Sequence, residues 1–87
     1  MVSRKVTVSN PSGIHARPAS VLVKTTGKCN SNVYIQVGEK KIIAKSILNI
    51  MAAAIKCGTE IEVICDGENE VEELETIVAL IESGLGE

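Results

Sequence analysis

Hydrophobic periodicity switches repeatedly within 87 residues, and this constrains the fold more than any other feature of the sequence. Val2, Val6 and Val8 alternate with Ser3, Lys5, Thr7 and Ser9, with Arg4 as the exception on the apolar side. Val33, Ile35 and Val37 repeat the pattern, as do Ile61, Val63 and Cys65. A period of two is the mark of a strand with one buried face. Between these stretches the period becomes that of a helix. Ala19, Leu22, Val23 and Thr26 lie on one face, and so do Val71, Leu74, Ile77, Val78 and Ile81.

The connections carry their own signals. Asn10-Pro11-Ser12-Gly13 breaks the first strand. Pro18 suits the first turn of a helix, where a missing N–H costs nothing, and Gly27 suits its end. Gly38-Glu39 is a two-residue loop of the type II′ hairpin kind, returning the chain as a strand from Lys40 to Ala44. Ser46 is placed to N-cap a helix carrying Ile47, Leu48, Ile50, Met51, Ala54 and Ile55, with Gly58 as its stop. Asn69 and Glu72 have the spacing of a capping box, and Gly84 ends the last helix. The order is β-α-β-β-α-β-α in one domain spanning 1–87. A four-stranded antiparallel sheet with three helices on one face is the economical α+β architecture, and a ferredoxin-like arrangement shares most of the element order.

Tyr34 is the only aromatic residue, so the core must be aliphatic. The net charge of −2 speaks against a general nucleic-acid binder. No apolar run approaches the ~20 residues of a membrane span. Three cysteines, Cys29, Cys57 and Cys65, are widely spaced with no C-x-x-C, which fits free thiols and a cytoplasmic location better than disulfides or zinc.

The one histidine, His15, lies in "GIHARPA" (13–19), between a glycine-bearing loop and a helix start. The first amides of a helix lack intrahelical partners and the dipole is positive there, so an anion on His15 meets donors at once. Arg17 adds a guanidinium suited to phosphate oxygens. These parts fit a histidine that accepts a phosphoryl group covalently and gives it away. A surface histidine beside a helix cap is the plain alternative. One His with no Cys nearby makes a poor metal site, and there is no P-loop or dinucleotide fingerprint.

"GIHARPA" followed by "KSILNIMA" (45–52) in this element order resembles the histidine-containing phosphocarrier family, HPr, of the bacterial sugar phosphotransferase system. The resemblance covers essentially the whole chain. It implies an open-faced β-sandwich with sheet order 1-4-2-3. It implies a carrier rather than an enzyme, with no cofactor. His15 would take a phosphoryl group on Nδ1 from enzyme I and pass it to IIA domains of sugar permeases. Arg17 would stabilise the phosphate, with Ser12, Ala16 and Pro18 completing its binding turn. Ser46 matches the family's regulatory serine, a target for HPr kinase/phosphorylase. Its phosphate would also recruit a catabolite control repressor, although "KS" at this place equally suits a plain N-cap. Ile47, Leu48 and Met51 would form a docking patch, with Arg17, Ser20, Lys24 and Lys28 at its rim. The chain departs from the family pattern in having no Phe, with Cys29 where many members carry an aromatic residue. A monomer that neither enters membranes nor binds nucleic acid directly is expected. Two other readings stand beside the carrier: a regulatory relative centred on Ser46, and a small ligand-binding or structural domain.

Overall fold

The computed structural model describes residues 1–86; Glu87, the last residue of the expected domain, lies outside the described residues. The elements are β1 (Val2–Thr7), α1 (Ala16–Thr26), β2 (Asn32–Val37), β3 (Lys40–Ile43), α2 (Ile47–Ala52), β4 (Glu60–Asp66) and α3 (Glu70–Glu82). The sheet order is β1-β4-β2-β3, antiparallel throughout. This is the expected order, with β1 at an edge. A ferredoxin-like sheet would hold its first strand inside.

The alternation read in the sequence sets the two faces of the sheet. Val6, Val33, Ile35, Ile61, Val63 and Cys65 are buried. Leu22 from α1, Ile50 from α2 and Leu74, Ile77, Val78 and Ile81 from α3 join them in one aliphatic core. Each such side chain contributes roughly 1.5–3 kcal/mol by burial. Arg4, the exception on its strand, stands at the sheet edge and pairs with Glu75 of α3. The other face is mixed: Ser3 Oγ donates to Glu62 at 2.8 Å and Lys41 Nζ lies 4.4 Å from the Tyr34 ring centroid, while Ile43 and Ile64 flank Tyr34 on the same side.

The β2–β3 hairpin follows its sequence signal. Val37 pairs with Lys40, Gly38 has φ +59 and Glu39 stays outside the left-handed region, as a type II′ turn requires. Gly84, at φ +93, ends α3 and turns Leu85 into the core.

Two boundary expectations are corrected. α2 does not run to Gly58. It ends at Ala52, Ala54 takes a left-handed φ of 51°, and Ile55 turns into the core. The apolar run continues past the helix because Ile55 is buried from a loop. The Asn69–Glu72 capping box does not form: Asn69, at φ −85 and ψ 34, makes no side-chain cap. Outside that frame, Glu70 Oε1 accepts from the Gly67 amide at 3.1 Å and Oε2 pairs with the N-terminal ammonium at 3.0 Å.

A second carboxylate ties α3 to the α1–β2 turn. Glu73 accepts from the Asn30 amide at 2.7 Å, the Ser31 amide at 3.0 Å and the Ser31 hydroxyl. The Ser31 hydroxyl, foremost, holds this carboxyl below the usual glutamate range. Its stabilisation is therefore complete above that range and lost as pH falls through the lowered value. Glu73→Ala is expected to cost about 1–3 kcal/mol at pH 7, because it strands the buried Ser31. The gap between variant and parent should narrow below about pH 4 in urea titrations, as the parent's own carboxylate is protonated. A gap that does not change with pH would contradict this role.

Candidate functional site

The site begins where β1 ends. Val8 exchanges backbone bonds with the segment before β4, its N–H to the Thr59 carbonyl at 2.9 Å and its carbonyl to the Gly58 N–H at 2.8 Å. Asn10 is buried; its carbonyl accepts from the Gly13 amide at 2.9 Å, and its Nδ2 donates to the Gly84 carbonyl at 2.7 Å. Pro11 and Ser12 bulge out between these anchors and are exposed.

Gly13 makes the decisive turn. Its φ is +72, and a Cβ there would lie 2.3 Å from the Ile55 carbonyl oxygen and 2.9 Å from Lys56 Cα. Only glycine lets the two backbones come this close. The contact brings Ile14 N–H to the Ile55 carbonyl at 2.9 Å and buries the Ile14 side chain. Ile14 is thus fixed from both sides, and the next residue, His15, is exposed in an extended conformation at φ −95 and ψ −163.

His15 is the N-cap residue of α1. Its carbonyl accepts from the Ala19 amide at 2.9 Å, while its imidazole makes no capping bond. The amides of Ala16 and Arg17 have, by position, no intrahelical acceptor. No acidic residue lies in the first turn to offset the positive dipole end. Arg17 is exposed two residues on. Pro18 is buried and carries no amide hydrogen, so it serves an anion site by fixing the first turn and not by donating. Ser12, His15, Ala16 and Arg17 are thus all exposed, Ser12 on one side of the buried Gly13 and Ile14 and the other three on the other side, at the start of α1.

The Ser46 region is built separately. Ser46 N-caps α2, its Oγ accepting from the Asn49 amide at 3.3 Å. α2 packs on α1 and buries Ile50. It leaves Ile47 at 38%, Leu48 at 80% and Met51 at 44% exposure, an apolar surface that a folded core would have used. Arg17, Ser20 and Lys24 are exposed along α1, and Lys28 is exposed just past its end.

The cysteines are free, as expected. Cys65 is buried, which pushes its thiol up to about 11 and makes it inert at neutral pH. Among the described residues no cluster of His, Cys, Asp and Glu could hold a metal, and no helix is long and apolar enough to cross a membrane. The Ile55 carbonyl was missed by sequence reasoning. Its one signal is Gly13, but a glycine does not name what it approaches.

A family profile described as "PTS HPr component phosphorylation site" matches residues 2–83. The chain belongs to the HPr family. It is a phosphocarrier protein of the phosphotransferase system. It is 46% identical over 70 residues to phosphocarrier protein HPr of Mycoplasma capricolum, covering 80% of this chain and 79% of that one. It is 39% identical over 82 residues to HPr-like protein Crh of Bacillus subtilis, covering 94% and 96%. The crystal structure of HPr-C-His from Thermoanaerobacter tengcongensis superposes with a TM-score of 0.95 at 36% identity, over 100% of this chain and 98% of that one. Other similar structures are dimers: an HPr from the same organism, and a Crh crystal structure with a swapping domain, at TM-scores of 0.79 and 0.77. These relatives weigh against the expected monomer.

Gly13→Ala and Gly38→Ala separate backbone strain from collision. Both sites have positive φ, but a Cβ at Gly38 meets nothing within 4 Å. We expect Gly38→Ala to cost about 1 kcal/mol and Gly13→Ala at least about 2 kcal/mol more in thermal melts. Equal losses would mean that the Gly13–Ile55 approach is not structural.

Proposed function

We propose that His15 is the phosphoryl acceptor of this phosphocarrier. The observation that carries the reading is the exposed imidazole at the N-terminus of α1, beside Arg17 and unopposed by first-turn acids. In the first transfer Nδ1 of a neutral His15 attacks the phosphorus held by phosphorylated enzyme I. The N–P bond to His15 forms as the donor's N–P bond breaks, and the donor's histidine departs with the electron pair. In the second transfer His15 is the leaving group and a IIA-domain histidine the nucleophile. The Ala16 and Arg17 amides and the Arg17 guanidinium stabilise the phosphoryl oxygens in both. Ser12 adds a hydroxyl and Pro18 the fixed turn. Turnover belongs to the partners, so the protein is a carrier and not an enzyme, working in the cytoplasm.

The docking surface in this reading is Ile47, Leu48 and Met51 with the rim of Arg17, Ser20, Lys24 and Lys28. An apolar centre with a basic rim suits small, short-lived interfaces with acidic partners. Ser46 is the regulatory site, read by HPr kinase/phosphorylase and, once phosphorylated, by a catabolite control repressor. A dianion at the N-terminus of α2 is electrostatically favourable for the helix, so it leaves the fold intact and changes the docking surface.

A second reading, a regulatory protein driven mainly through Ser46, is favoured by the similarity to Crh, one of whose structures is described as a catabolite repression protein. Incubation with phosphoenolpyruvate and enzyme I, followed by mass measurement, separates the two. The carrier reading predicts one acid-labile phosphate adduct, absent in His15→Ala. No adduct with a competent enzyme I would leave the regulatory reading. Ser46→Asp should slow transfer at least about tenfold with an unchanged melting temperature, as expected for a charge set into a docking patch. An unaltered rate would remove Ser46 from regulation.

A further inference from the structure

The close approach at Gly13 brings more than a carbonyl to the histidine loop. A Cβ on Gly13 would lie 2.9 Å from Lys56 Cα, so Lys56 stands where a side chain of residue 13 would point. The two chains meet at one bond, from the Ile14 amide to the Ile55 carbonyl. Each chain buries its isoleucine there and exposes the residue that follows, His15 in one and Lys56 in the other. The Lys56 backbone is fixed from both sides. The carbonyl before it is bonded to Ile14, and its own carbonyl accepts from the Thr59 amide at 3.1 Å. The Gly58 amide ties the same turn to the Val8 carbonyl. Only the side chain of Lys56 is left to move.

Charge balance gives this lysine a task. A phosphoryl group carries roughly −1.5 to −2 charges at neutral pH, on three acceptor oxygens. The first turn of α1 offsets this with the Arg17 guanidinium and a dipole end worth roughly half a charge. That leaves the group short of full compensation. Lys24 is too far along α1 to supply the rest, about 12 Å from Ala16 at ~1.5 Å per residue, and Lys28 is further still. Lys45 is engaged elsewhere, its Nζ donating to the Cys29 carbonyl at 3.2 Å. Lys56 is better placed. His15 is two residues from Gly13, so their Cα atoms are at most about 7 Å apart. A flexible four-carbon stem spans that gap. No ion pair among the described residues involves Lys56.

We propose that the Lys56 ammonium is a second cation for the phosphoryl group carried on His15, reaching it from the loop side while Arg17 reaches it from the helix side. This rests on the carrier reading and deepens it. Lys56 forms no covalent bond and moves no proton; it binds phosphoryl oxygens as a point charge. A mobile ammonium suits a group that must leave again, because it holds the oxygens without the fixed two-pronged geometry of a guanidinium. The Gly13 approach then serves two ends: it sets the start of α1, and it seats a cation beside the loop that carries the histidine.

A partition experiment tests this. Parent and Lys56→Met compete for limiting phosphoenolpyruvate through a trace of enzyme I until equilibrium, and intact masses at neutral pH give the phosphorylated fraction of each. A contact shifts an equilibrium only by its difference between the two end states, so contacts made only in the docked complex cancel. We expect the odds of phosphorylation to be about threefold higher for the parent, the size of an exposed charge contact. Lys56→Arg keeps the cation and should partition evenly with the parent. So should Lys40→Met, which makes the same change of charge on β3, at the other edge of the sheet from β1. Lys40 and Lys56 are exposed, so the variants should fold, which circular dichroism melts check. Even partition between parent and Lys56→Met, or a bias toward the variant, overturns the proposal and leaves the carrier reading intact. An equal bias against Lys40→Met or Lys56→Arg also overturns it, since neither variant removes a cation beside His15. Failure of the parent to accept any phosphate overturns the carrier reading itself.

Discussion

The backbone of Gly13 passes so near the Ile55 carbonyl that no side chain fits between them, and the functional face of the molecule is arranged around that approach. On one side it pins Ile14 through a 2.9 Å bond, which fixes the direction in which α1 starts and leaves His15 as its exposed N-cap. On the other side it accounts for the early end of α2. The chain must leave the helix after Ala52 and turn left-handed at Ala54 to offer the Ile55 carbonyl to the loop. One contact therefore couples the histidine segment to the segment that follows the Ser46 helix. The exposed Ile47, Leu48 and Met51 lie on that same short helix, which packs on α1.

This coupling separates two jobs. The sheet and the buried faces of α1 and α3 supply stability through aliphatic burial. In the proposed reading the exposed N-terminal turns of α1 and α2 supply function, and each helix is anchored to the core, α1 through Ala19 and Leu22 and α2 through Ile50. As the proposed phosphoryl acceptor, His15 would need little from the protein beyond donors for the phosphoryl oxygens and a fixed approach. In the proposed reading the first turn of α1 gives both, through helix amides without an intrahelical acceptor, Arg17 and the buried Pro18. A site this small can serve several partners, since almost everything that distinguishes them must lie in the surface around it.

Much of this was legible in the residues. The strand alternation named the buried residues of β2 and β4, Gly38-Glu39 named the hairpin, and Ser46 named its cap, because each depends on chemistry within a few positions. "GIHARPA" named the candidate site for the same reason: loop, histidine, cation and helix start are contiguous. Sheet order came only with the family resemblance, since period-two patterns do not encode which strands pair. The end of α2 was misread because Ile55 extends the apolar pattern while leaving the helix, and no local residue announces the left-handed Ala54. The capping box failed at Asn69 because Glu70, one position on, is held by the Gly67 amide and the N-terminal ammonium, contacts that the sequence spacing cannot show. The partner of Gly13 lies 42 residues away, beyond any short-range signal.

The central claim is that a phosphoryl group on His15 is held by the first turn of α1 on a scaffold that does not move. Amide nitrogen–proton spectra before and after phosphorylation by enzyme I test it most directly. The account predicts large shifts at Ala16 and Arg17, smaller ones at Ser12, and unmoved signals from the buried strand residues Val33, Ile35 and Val63. Shifts centred on Ser46 and Asn49, or spread through the sheet, would contradict it.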